Sequence, residues 1–219
     1  MRTLYHFPLS PFARKIRLAL AEKKLDFALV LEKPWERRPE FCALNPAATV
    51  PVMVEEDGSV VPHSGIIVEY LEETYGPPHL LPKTPADRVE ARRLQAWFDE
   101  VFHAEVTVPL LYEKVHKRLA TPDMHLIRDG IAALRAHLEA IGRFAEERRW
   151  LAGEALTVAD LAAAAHLSCL DYLGDVPWNQ YEAAKEWYVR LKSRPSFRPL
   201  LQDVIPGMPP VRHYTNLDF

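Results

Sequence analysis

The apolar residues of this chain keep one rhythm up to residue 76 and another after residue 85, and the stretch from Gly76 to Pro85, with four prolines, divides them. Alternation every second residue marks a strand, whereas recurrence at three and four marks one face of a helix. Before the break the period switches repeatedly. Residues 3–7 read as a strand, residues 12–23 as a helix with Phe12, Ile16, Ala19 and Leu20 on one face, and residues 27–31 as a second strand. Residues 35–44 read as short, irregular helix. Residues 50–54 and 59–61 flank Glu55-Glu56-Asp57-Gly58, a hairpin signal, and Ser64 opens a helix carrying Ile66, Ile67, Tyr70 and Leu71.

After the break no segment alternates. Leu94, Trp97, Phe98, Val101 and Phe102 recur at helical spacing and predict a helix that Pro109 bends or ends. Residues 123–148, 180–193 and 196–203 predict three more helices. Thr157-Val158-Ala159-Asp160 has capping-box spacing ahead of residues 161–173, which are small and apolar all round, as the buried centre of a helical bundle requires. The predicted fold class is α/β followed by all-α. It divides into an α/β domain over 1–76, a linker over 77–85, an all-helical domain over 86–203, and a proline-containing tail over 204–219.

Composition narrows the function classes. A chain of 219 residues, 48% apolar and 26% charged, can bury proper cores as one large or two modest domains. A net charge of −3, with each basic pair set among carboxylates, predicts no nucleic-acid partner. Cys42 and Cys169 are far apart and read as reduced thiols rather than a disulfide. No signal-peptide core and no run of membrane-spanning length is found, so a cytoplasmic protein without a membrane partner is expected. The nine histidines show no His-Glu-x-x-His spacing and no Cys/His cluster, so no metal site is expected.

Four places draw functional attention. Leu9-Ser10-Pro11-Phe12-Ala13 is a strand-to-helix turn that aims a hydroxyl and unpaired N–H groups at one small volume. Ser10 suits the N-cap and Pro11 the first helical position; a redox pair would need cysteines where Ser10 and Ala13 stand. His6, near the end of the first strand, reads either as a general base beside Ser10 or as a partly buried strand residue. Trp35, between Pro34 and a charged run, reads as a partner anchor or as cover for its own domain, while Trp97, Phe98 and Phe102 read as core or dimer packing. The tail carries Ile205, Met208, Val211, Tyr214, Leu217 and Phe219, too many apolar groups for a solvated end. It folds back over the helical domain, completes a partner surface with Arg212, His213 and Asp218 outward, or does both.

Four motifs in order carry a family resemblance: Asn45-Pro46-Ala47-Ala48-Thr49-Val50-Pro51, His63-Ser64-Gly65-Ile66-Ile67, Trp150-Leu151-Ala152-Gly153 through Asp160, and Arg194-Pro195-Ser196-Phe197. Together they resemble the glutathione transferase superfamily, which implies a thioredoxin-like N-terminal domain followed by a helical-bundle C-terminal domain. The resemblance implies a cis-Pro51, a Val50 backbone that pairs with glutathione, a Ser64 that holds its γ-glutamyl carboxylate beside His63, and a Ser10 hydroxyl that activates its thiol. His63 stands where the family usually carries an acidic or amide residue, and Thr49 where lysine or glutamine often precedes the Val-Pro pair.

Pro34-Trp35-Glu36-Arg37-Arg38, the run from Asp171 to Trp178 and the tail resemble a bacterial, cell-division branch of that superfamily. That resemblance implies a homodimer that binds FtsZ filaments and shapes them at the division site, with no cofactor and no required chemistry. Trp35, Arg212, His213, Tyr214, Leu217, Asp218 and Phe219 are the implied partner residues. The alternative is a serine-type glutathione transferase acting on a small electrophile, with Ser10 catalytic and Val50, Pro51, His63 and Ser64 holding glutathione.

Overall fold

The structure is a computed structural model and describes residues 1–117 and 121–217. Four short strands form one sheet in the order β2-β1-β3-β4. β1 (Thr3–His6) and β2 (Ala28–Leu31) run parallel, and α1 (Pro11–Glu22) makes the crossover that a parallel pair needs. β3 (Val52–Val54) pairs antiparallel with β1, Leu4 opposite Met53, and β4 (Val60–Pro62) returns along β3. Gly58, at φ 88°, closes the turn between them, a conformation that a residue with a Cβ adopts only under strain. α3 (Ser64–Thr74) follows, and Leu4, Ile16, Met53 and Ile67 are wholly buried in this domain. The 3₁₀ turn Pro34–Glu36 and α2 (Pro39–Leu44) make up the irregular helical stretch between β2 and β3.

Among the described residues, the named elements of the second half are all helices. α4 (Pro85–Ala96) runs directly into the helix Trp97–His116, and α5 (Met124–Glu147), α6 (Val158–Leu173), α7 (Glu182–Lys192) and α8 (Arg198–Leu201) follow. Trp97–His116 passes through Pro109 and does not end there. Its turns are wider than those of an α-helix; Lys117 N–H reaches Tyr112 O, five residues back, at 2.8 Å. Such a turn has room for a proline ring that would clash in an ordinary α-helix. Phe98 and Phe102, on this helix, are wholly buried, and Trp97 is partly buried against the same core. The helix predicted over 196–203 shortens to α8, because Arg194 and Ser196 are committed to Glu22 of α1, Arg194 by two bonds of 2.6 and 2.7 Å.

α6 is the axis of the molecule, buried along nearly its whole length. Thr157 and Asp160 form the capping box at its start. Asp160 does more than cap: Oδ1 accepts Leu151 N–H at 2.8 Å and the Trp187 indole N–H at 3.0 Å, tying the Trp150–Gly153 turn and α7 to α6. α1 crosses α6 with charged groups at the contact. Arg14, wholly buried, donates to Pro8 O at 2.6 Å, Ser168 Oγ at 2.8 Å and Tyr214 Oη at 3.0 Å.

The last of these bonds revises the reading of the tail. Tyr214, expected among the partner residues, is 0% exposed. Its ring meets Tyr172 edge-on, and its hydroxyl also donates to Leu200 O at 3.0 Å. Burying an aromatic ring and satisfying a buried guanidinium outweigh leaving the tail in water. Among the described residues, no helix is long and apolar enough to cross a membrane, and no group of three or more His, Cys, Asp or Glu side chains could hold a metal.

Candidate functional site

A cleft of about 550 Å³ opens between the two halves. One wall comes from the end of β1, the start of α1 and the turn after β2, which supply Phe7, Ser10 and Trp35. Val50, Pro51, His63 and Ser64 form its floor, and His103, Thr107, Val108 and Tyr112 of the long helix face them.

Ser10 sits where the turn ends and α1 begins. Its Oγ accepts Ala13 N–H at 3.2 Å, which satisfies one of the donors that a helix start leaves open. Val50–Pro51 is cis, and Pro51 O accepts His63 N–H at 3.2 Å, so the proline turn and the start of α3 are built as one piece. Asn45 supports this loop from below, donating to Thr49 O at 2.9 Å. His63 holds φ at 72°, and its Nδ1 accepts Gly65 N–H at 3.2 Å, so the imidazole caps α3. Ser64 is buried behind it.

The opposite wall holds a cluster that single-motif reading missed. Thr107 Oγ1 lies 2.8 Å from His166 Nδ1, and His166 Nε2 lies 3.7 Å from Asp99 Oδ1. Asp99 pairs in turn with Lys15 of α1, whose side chain is wholly buried. Burial alone would raise the Asp99 carboxyl, but Lys15 and then His166 bring it down to about 2. Burial pushes His103 down to about 4, helped by His166, and lowers His166 as well. Both rings are therefore neutral near pH 7. With His166 neutral, the assigned arrangement has Thr107 donating to Nδ1 and the Nε2 hydrogen facing Asp99. Asp99, His103 and Thr107 recur every fourth residue on one helix, and that spacing is the signal that would have found them.

The other sequence-derived candidates are dispersed. His6 is buried beside Arg17 and Arg14, is pushed down to about 4 by burial and then by those cations, and does not line the cleft. It therefore stands apart from Ser10 as a strand residue. Trp35 stands at the cleft rim, 55% exposed, with its ring edge-on to Phe7 at 5.1 Å. Phe7 also packs against the cluster that contains Leu9, Leu111, Tyr172 and Tyr214. His213 reaches Asp171 at 3.1 Å, Arg212 is exposed and Leu217 is half-buried. Asp218 and Phe219 lie outside the described residues.

A small mixed sheet with a cis-proline turn, joined across a cleft to a helical domain, defines a class that two family domains in the sequence identify. Residues 4–79 match the glutathione S-transferase N-terminal domain, and residues 131–195 match the glutathione S-transferase C-terminal domain. The chain belongs to the glutathione S-transferase superfamily. Within it, the chain is 50% identical over 224 residues to FtsZ-localized protein A of Caulobacter vibrioides, an alignment covering 100% of this chain and 98% of that protein. The solved structure of FzlA from C. crescentus superposes with a TM-score of 0.97 at 50% identity, over 100% of this chain and 99% of that one. A glutathione S-transferase structure from Rhodospirillum rubrum F11 superposes with a TM-score of 0.98 at 53% identity, over 100% of both chains.

Proposed function

We propose that this chain is a division protein of the FzlA type, a homodimer that binds FtsZ filaments and shapes them at the division site without required chemistry. The observation that carries this reading is the 50% identity, over 100% of the chain, to a protein named for its localisation with FtsZ. Trp35 supports it, since a tryptophan more than half exposed at a rim is the side chain type that most often anchors a partner. The docked tail adds Arg212 and His213 to the outer surface on the strength of a buried Tyr214. A second copy has an apolar face available to it. α3 and α4, bridged by Arg92 and Glu69 at 2.7 Å, expose Ile66 and Val89. Two identical binding faces on a symmetric dimer bridge or bend neighbouring filaments. Electron microscopy of FtsZ polymers with saturating protein tests this: altered curvature or bundling supports it, and polymers identical to those without the protein refute it.

A serine-type transferase is the second reading, favoured by one observation: Ser10, Pro51 and Ser64 line the same cleft. The donors at the start of α1 would stabilise a glutathione thiolate, raising its reactive fraction. Calorimetry with millimolar glutathione decides this reading. Absence of both heat and thermal stabilisation removes it, because a ligand of the native state must stabilise that state.

A further inference from the structure

The sheet ends on one side at β2 and on the other at β4, and the two edges are built differently. An edge strand presents unpaired N–H and C=O groups, and charged side chains or prolines ordinarily blunt it. On β4, His63 N–H bonds back to Pro51 O, so alternation turns Val60 and Pro62 outward, and Pro62 has no N–H to offer. β2 is Ala28-Leu29-Val30-Leu31, with neither charge nor proline. Ala28 N–H reaches Arg2 O and Glu32 N–H reaches His6 O, both at 2.9 Å. Leu29 and Leu31 therefore turn their N–H and C=O groups away from β1, to the open side.

The side chains agree with the backbone. Leu29 and Leu31 are 41 and 56% exposed, apolar groups left in water on the edge that also leaves two donors free. Lys33 continues in an extended conformation, φ −106° and ψ 95°, into the 3₁₀ turn that carries Trp35. The four residues from Leu31 to Trp35 span at most about 14 Å. One added strand therefore reaches from the edge to the rim tryptophan. A helical partner could cover the leucines, but an extended polypeptide also satisfies backbone groups that recur every second residue.

We propose that the open edge of β2 takes an extended segment of FtsZ as a fifth strand, with apolar side chains at alternate positions beside Leu29 and Leu31 and its end against Trp35. This placement rests on the filament reading above. It adds which backbone groups are engaged and what the partner must present, a β-forming segment apolar at every second residue.

Hydrogen exchange of the full chain, with and without polymerised FtsZ, is read over fragments that resolve residues 28–32, with pelleting measured in the same samples. In the free chain the Leu29 and Leu31 amides exchange fast and those bonded to β1 slowly. On filaments both outward amides should slow by roughly tenfold, near what one added hydrogen bond contributes. Two variants at one position separate backbone from side chain. Leu31→Ala removes the apolar cover and keeps the outward N–H, whereas Leu31→Pro removes both and leaves the ladder to β1, which does not use that N–H. Leu31→Pro should pellet roughly two- to tenfold more weakly than Leu31→Ala. Should Leu31→Pro melt below Leu31→Ala, exchange in the parent chain decides alone. Equal pelleting of two folded variants overturns the proposal, as does a parent chain that pellets while Leu29 and Leu31 exchange as fast as before. Both amides slow in the chain alone would mean that a second copy covers the edge, which overturns it too. A parent chain that does not pellet overturns the filament reading, and the fifth strand with it.

Discussion

Replacing Tyr214 tests how the tail is held and what it contributes. The ring is wholly buried against Tyr172, and deleting a buried aromatic side chain costs about 3–5 kcal/mol. The hydroxyl links Arg14 to Leu200 O, both at 3.0 Å, and removing it leaves a buried guanidinium one acceptor short, at about 1–3 kcal/mol. Tyr214→Phe isolates the second quantity, since it keeps the ring. In a chain of this size each kcal/mol moves the melting temperature by about 2–4 °C. Tyr214→Phe should therefore melt about 2–12 °C below the parent chain, and Tyr214→Ala lower still. Calorimetry measures both shifts, and hydrogen exchange over residues 205–217 shows whether the tail has lifted. The cost of Tyr214→Ala cannot exceed the docking energy of the tail, so a lifted tail and a moderate shift go together. Melting of both variants within about 1 °C of the parent would refute the reasoning, because a ring packed on Tyr172 and bonded to Arg14 cannot be removed without cost.

Three further outcomes follow from the same contacts. His6 is held near 4 when folded and returns to about 6.5 when unfolded, so the unfolded chain takes the proton first as pH falls. The stability from its neutral ring is full above about pH 6.5 and fades toward pH 4, a loss of about 2 kcal/mol between pH 7 and 5 that His6→Asn should remove from urea midpoints measured at both values. Asp160→Asn should cost about 2–3 kcal/mol in the same assay, since the carboxylate accepts from Leu151, Thr157 and Trp187 at 2.8 to 3.0 Å; an unchanged midpoint would contradict its role at the start of α6. Ser10→Ala should cost about 1 kcal/mol as a lost N-cap and leave FtsZ pelleting intact; a folded variant that no longer pellets would return Ser10 to the functional centre.

The parts of the molecule legible in the sequence are those whose signal is local. Period changes mark β1, α1 and the hairpin, Thr157 and Asp160 mark the start of α6, and motif resemblance points to cis-Pro51. What escaped depends on partners far along the chain. Arg14 and Lys15 are buried because Tyr214, Ser168 and Asp99 meet them, and nothing adjacent to positions 14 and 15 announces those partners. The aperiodic tail gave no sign of which apolar residue goes inside; a guanidinium 200 residues away selects Tyr214. Pro109 was expected to bend or end its helix; the helix runs on past it, since a rule built on α-helical turns does not require an end where the turns are wider. In the His103–Thr107–His166 cluster, the spacing of His103 and Thr107 was legible on one helix, but their partner His166 lies on another helix that nothing adjacent in the sequence announces.

Filament binding is the central claim, and quantitative co-sedimentation tests it most directly. The parent chain and Trp35→Ala are spun with FtsZ, polymerised and unpolymerised, at several salt concentrations. The account predicts saturable enrichment of the parent chain in the polymer pellet and a loss of at least roughly tenfold in affinity for Trp35→Ala, as for a tryptophan anchor. Equal pelleting of the parent chain with and without polymer would contradict the account.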